Sequence, residues 1–105
     1  MNLSATVDGV YANLQEMFIR CTSMVDFTAS IVENSLHGTH ILVTIPKGKA
    51  SPCNRRVWII PKTGEDSHWI IEWNLSKNSI PIRREVSSHM VAWKVLELYE
   101  MGLFD

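Results

Sequence analysis

Cys53 stands in the run Ser51-Pro52-Cys53-Asn54-Arg55-Arg56, with two arginines close behind it. Neighbouring cations favour a thiolate, which is the form that attacks. A phosphate-loop cysteine phosphatase would need an Arg at position 59, where this chain has Ile59. The catalytic reading left to Cys53 is a pair with His40 or His68, and a lone loop cysteine is usually inert. His37, His40, His68 and His89 could be asked to hold a metal. His37 and His40 straddle an expected helix end and strand start, a poor geometry for two ligands, and neither Cys-x-x-Cys nor His-Glu-x-x-His occurs. Lys47-Gly48-Lys49 lacks the spacing of a phosphate loop. No nucleophile elbow, dinucleotide fingerprint or paired carboxylates are present, and Glu97 and Glu100 read as the solvated face of a helix. The expectation is a protein that is not an enzyme and uses no cofactor and no metal.

The elements that would position any site follow from composition and period. The chain has 105 residues, 46% hydrophobic and 20% charged, which fits one folded domain over 1–105 rather than a disordered segment. No apolar run approaches the ~20 residues that cross a bilayer, and Met1-Asn2-Leu3-Ser4 does not read as a secretory signal. Two cysteines, Cys21 and Cys53, make no disulfide framework, so the expected compartment is the reducing cytoplasm. Net charge is −1, against a generic polyanion binder. The distribution is uneven. Arg20 against Asp8, Glu16, Asp26 and Glu33 gives residues 1–46 a charge of −3. Residues 47–84 sum to +5, from Lys47, Lys49, Arg55, Arg56, Lys62, Lys77, Arg83 and Arg84 against Glu65, Asp66 and Glu72. Lys94 against Glu85, Glu97, Glu100 and Asp105 returns residues 85–105 to −3.

Residues 4–36 carry a helical period. Val7, Val10, Leu14, Met17, Cys21, Met24, Thr28 and Ile31 recur every three or four positions, with Ser4 as N-cap and His37-Gly38 as stop. Cys21 falls on this stripe and reads as core. One unbroken helix would be about 50 Å long, too long for a domain of this size. It either breaks near Cys21-Thr22-Ser23, or projects and forms a homodimer through its heptad-like seam. Strands are expected at Thr39–Ile45, Arg55–Ile60 and His68–Leu75, with a short edge strand at Ile80-Pro81-Ile82. A last helix from Glu85 or Ser87 to Met101 would bury Met90, Trp93 and Leu96, with Val86 below and Val95 and Tyr99 alongside, and end at Gly102. The fold class is α+β in two layers: an N-terminal helix or helix pair, a three-stranded antiparallel meander and a C-terminal helix.

The hairpin of the second and third strands suggests where a partner would bind. A five-residue loop pairs Pro61 with Ser67, Ile59 with Trp69, Val57 with Ile71 and Arg55 with Trp73. The opposite face then pairs Ile60 with His68, Trp58 with Ile70 and Arg56 with Glu72, the last an ion pair. Helices cover the face of Val57, Ile59, Trp69, Ile71 and Trp73. The other face presents Trp58, Ile60 and Ile70, rimmed by Arg56, His68 and Glu72, a composition typical of protein interfaces. In a three-layer alternative, a second helix over 22–36 covers that face. The main functional expectation is a protein-binding inhibitor, adaptor or immunity-type regulator using Trp58, Ile60, Ile70, Arg56 and His68.

The alternative is a nucleic-acid binder using Lys47, Lys49, Arg55, Arg56, Arg83 and Arg84, with Trp58 as a stacking platform. The order α-β-β-β-α is similar to that of the double-stranded-RNA-binding domain over roughly residues 5–102. That family's basic cluster at the last helix is represented only by Arg83-Arg84, upstream of the expected helix.

Overall fold

A computed structural model of the chain describes residues 6–46, 55–62, 68–76 and 78–104. Ser4, Lys47, Lys49, Cys53 and Ser67, each given a role above, lie outside the described residues. The first helix, α1, spans Val7–Arg20, and Thr6 caps it by accepting from the Gly9 N–H at 3.0 Å. Val10, Leu14 and Phe18 recur every four residues and are buried. Helix geometry ends at Cys21, and a single 3-10 turn, Thr22–Met24, follows. The expected break therefore occurs, where Thr22 and Ser23 are weak helix formers. Cys21 is half-buried at the helix end rather than fully in the core.

The second half of the period is not a helix. Thr28–Asn34 is a strand, β1. Its β-branched Thr28, Ile31 and Val32 favour extended backbone. The strand gains a full antiparallel partner in β2, Gly38–Ile45. Asn34 makes the turn: its side-chain oxygen accepts from the Leu36 N–H at 3.1 Å and the His37 N–H at 2.8 Å. Gly38 adopts φ 65°, a left-handed backbone that suits glycine. The glycine expected to stop a helix closes a hairpin instead. Residues 22–36 therefore supply no helix to cover the second sheet face in the way of the three-layer alternative. At 14 residues, α1 spans only about 21 Å, too short for a four-repeat dimer seam.

Among the described residues the sheet has five strands, not three, in the order β1-β2-β3-β4-β5 and antiparallel throughout. β3 is Arg55–Pro61, β4 is His68–Trp73 and β5 is Ile82–Ser87. β5 takes residues expected to open the last helix, and Ile80 and Pro81 precede it. Two cross-strand ion pairs help to hold that segment extended: Arg83 to Glu72 at 3.0 Å and Lys62 to Glu85 at 2.8 Å. The second helix, α2, is Val91–Glu100, after a 3-10 turn at Ser88–Met90.

Both helices pack on one face of the sheet, joining Ile41, Val43, Val57, Ile59, Trp69, Ile71 and Trp73 in one buried cluster. α2 contributes Val91, Ala92, Val95 and Leu98, while Trp93 is 59% exposed and Met90 is exposed as well. The buried stripe is thus rotated from the expected Met90/Trp93/Leu96 face. Val91, Val95 and Leu98 stand four and three residues apart and form a competing apolar stripe on the same helix. The helix ends where expected, with Gly102 at φ 74° and the Leu103 N–H donating to the Leu98 carbonyl at 3.1 Å. Trp73 fastens this end to the sheet. Its Nε1–H donates to the Leu103 carbonyl at 2.9 Å, and its ring meets Phe104 edge-on at 5.0 Å.

Trp69 and Trp73 are both core, but their indole N–H groups differ. Trp69 Nε1 has no hydrogen-bond partner among the described residues. Trp69→Ala should cost roughly 3–5 kcal/mol, read from thermal or urea unfolding. Trp73→Phe should cost about 1 kcal/mol more than Trp69→Phe, because it orphans the Leu103 carbonyl while Trp69→Phe removes an unsatisfied donor.

Candidate functional site

The face opposite the helices is built from alternate residues of every strand. One row runs Ser30, Leu42, Trp58, Glu72, Arg83 across all five strands. The next holds Val32 and His40 on β1 and β2, then Ile60, Ile70 and Glu85 on β3 to β5. Thr28, Thr44 and Arg56 form a third row toward one end, and His68 lies opposite Ser87 at the other. Leu42, Trp58 and Ile70 are half-buried, and Arg56 and His68 are exposed. Ile60 is 6% exposed and so is not itself a contact surface, although it stands outside the helix-side core.

The hairpin register is offset from expectation by two residues. Ile59 pairs with Ile71, Val57 with Trp73, Ile60 with Ile70, and Pro61 with Trp69. Side chains alternate with period two, so an offset of two leaves every residue on its expected face. It does change the neighbours. Arg56 lies opposite Thr44, and Glu72 lies opposite Trp58 on one side and Arg83 on the other. The expected Arg56–Glu72 ion pair is replaced by Arg83–Glu72.

The β1–β2 turn also contributes to the face. His37 Nε2 stands 3.8 Å from Glu72 Oε2. Its ring meets the His40 ring edge-on, with centroids 5.3 Å apart. His40 is 1% exposed, and its Nδ1–H donates to the Gly38 carbonyl at 3.0 Å. Sequence spacing places His37 at a helix end, which is a poor geometry for pairing with His40. The pair sits instead on one hairpin. Among the described residues no group of three side chains is arranged to hold a metal ion.

Charge frames the apolar centre. A recess of about 260 Å³ is lined by Lys62, Ile70, Arg83 and Glu85. Lys62 holds the Glu85 carboxyl below its ordinary range, first by hydrogen bonding and then by charge. The arginines expected to act together are divided between the two faces. Arg56 and Arg83 share the open face. Arg55 lies in register with the buried Ile45 and donates to the Leu75 carbonyl at 3.1 Å. The Arg84 guanidinium stands 5.8 Å from the centroid of the core Trp73 ring.

Comparison with protein-family models, curated protein sequences and solved structures finds no match to this chain. Among the described residues no helix is long and apolar enough to cross a membrane. With five strands, the element order also departs from the α-β-β-β-α arrangement of the double-stranded-RNA-binding domain.

A depressed carboxyl pKa contributes stability above the unfolded value and loses it as pH falls through the folded one. Removing Lys62 should therefore raise the Glu85 titration midpoint. In Lys62→Met the Glu85 side-chain NMR titration is expected to move upward to the ordinary glutamate range, with the pair's effect on unfolding vanishing in acid.

Proposed function

We propose that the chain is a non-catalytic protein-binding module, an inhibitor, adaptor or immunity-type regulator, whose partner protein docks on the open sheet face. The observation that carries this reading is the position of Trp58. It is half-buried at the middle strand of a row spanning the sheet, with Leu42 beside it and the Glu72–Arg83 pair beyond. An aromatic centre inside a polar rim is the pattern of an interface hot spot. Leu42, Ile70 and Arg56 extend the surface, and His68 marks one end of it. Ile60, buried on the same face, pairs with Ile70. The two-cysteine composition favours a cytoplasmic setting.

The nucleic-acid reading has less support, because Arg55 and Arg84 turn away from the face that holds Arg56, Arg83 and Trp58. A backbone-tracking groove needs its cations on one surface.

Trp58→Ala should leave the unfolding curve near that of the parent and weaken partner binding by about 30-fold, equivalent to about 2 kcal/mol. The measurement is capture from native-host lysate with and without nuclease, followed by titration of the captured protein. Trp93→Ala, which alters an exposed tryptophan on the helix side, is the control and should bind as the parent does. Equal binding by Trp58→Ala, or loss of the bound material on nuclease treatment, would overturn the reading.

A further inference from the structure

We propose that two copies of this chain join through the outer edges of β1, which no described strand pairs, continuing the sheet from one copy into the other. The two edges of the sheet are unlike. β5 carries Arg83, Arg84 and Glu85 within six residues and is preceded by Pro81. Charges and proline are the devices by which sheet edges resist pairing. β1 has neither proline nor lysine and a single charge, Glu33. It pairs with β2 residue for residue over all seven positions, with no bulge to twist its outer edge away.

The apolar rows also stop short at this edge. Ile31, Ile41, Ile59 and Ile71 form one row on the helix side. The last three are fully buried, while Ile31 is 42% exposed. Ile31, at the β1 end of that row, thus stays partly open to solvent although α1 packs against β1.

The pattern of β1 selects a second copy as the occupant. A two-fold axis through Ile31 gives the one antiparallel register that pairs all seven residues. It sets Ile31 against Ile31 of the second copy, Ser30 against Val32, Ala29 against Glu33 and Thr28 against Asn34. No like charges face each other, and the exposed isoleucines cover one another. Paired residues have matching parity, so both helix layers fall on the same side and the open faces join. Moving the axis to Val32 would set Glu33 against Ile31 and leave two residues unpaired. Pairing β1 with β5 of another copy would be head-to-tail and would not close.

This interface does not involve Trp58, so it stands or falls apart from the open-face reading. Sedimentation equilibrium should give the parent twice the 12.0 kDa chain mass. Ile31→Lys and Ile31→Glu should each raise the dimer dissociation constant at least tenfold, since like charges then meet at the axis. An equimolar mixture of the two should restore the dimer. Ile80→Lys, at an exposed position off the edge, should leave it intact. If the charged variants do not fold, Ile31→Cys in a Cys21→Ser/Cys53→Ser background serves instead. It should oxidise to a disulfide-linked dimer, because directly opposed Cα atoms lie about 4.5–5.5 Å apart, while Ile19→Cys should not. A monomeric parent, a dimer that survives Ile31→Lys, or the absence of the Ile31→Cys cross-link would overturn the proposal.

Discussion

The alternation of side chains along β3 and β4 is the constraint on which the rest depends. Val57, Ile59, Trp69, Ile71 and Trp73 all point toward the helices and all are buried. A slip of one residue between these strands would turn over one of them relative to the other, sending either the two tryptophans of β4 toward the open face or Trp58 of β3 into the core. That error is costly, because each indole fills a volume no neighbour can replace. A slip of two keeps every face and changes only the cross-strand partners. The energetic selection therefore falls on parity, while the exact partner depends on weaker terms such as the Arg83–Glu72 pair.

That distinction explains what the sequence made legible. Period-two patterning assigns faces, and the faces of residues 57–60 and 69–73 agree with the structure. Register needs the turn geometry as well, and a loop length judged from composition placed it two residues away. The N-terminal misreading has a different origin. Thr28 and Ile31 fit a helical stripe begun at Val7 as well as they fit a strand. The choice is made by the neighbouring segment, through the pairing of residues 28–34 with β2 across the Asn34 turn. At the other end, Arg83, Arg84 and Glu85 look like the polar start of a helix. They are extended because β4 offers them a ladder, and Arg83 and Glu85 meet opposite charges in Glu72 and Lys62.

The candidate site divides along the same line. Trp58, Ile70 and Arg56 were legible because alternation alone places them. The entry of His37 onto the face was not, since it follows from a hairpin the helical period had hidden. The burial of Ile60 was likewise invisible, because residues on an uncovered face can still shield one another when the strands carry large side chains. The helix-side surface has its own exposed tryptophan, Trp93, beside a groove lined by Met17, Cys21, His89 and Ala92. It differs from the sheet face in having no row of strand positions to order it.

Trp73 is held from both sides of the chain: paired with Val57 on β3, bonded to the carbonyl of Leu103 and stacked edge-on by Phe104. This has a consequence for the order of events on the ribosome. The five strands are complete once residue 87 has been made, but the helix-side face over β4 stays bare until α2 and residues 103 and 104 have left the exit tunnel. Through that interval the nascent sheet carries uncovered indoles, the kind of surface that chaperones engage. Final closure of the core waits on Leu103 and Phe104, well after the last strand is made.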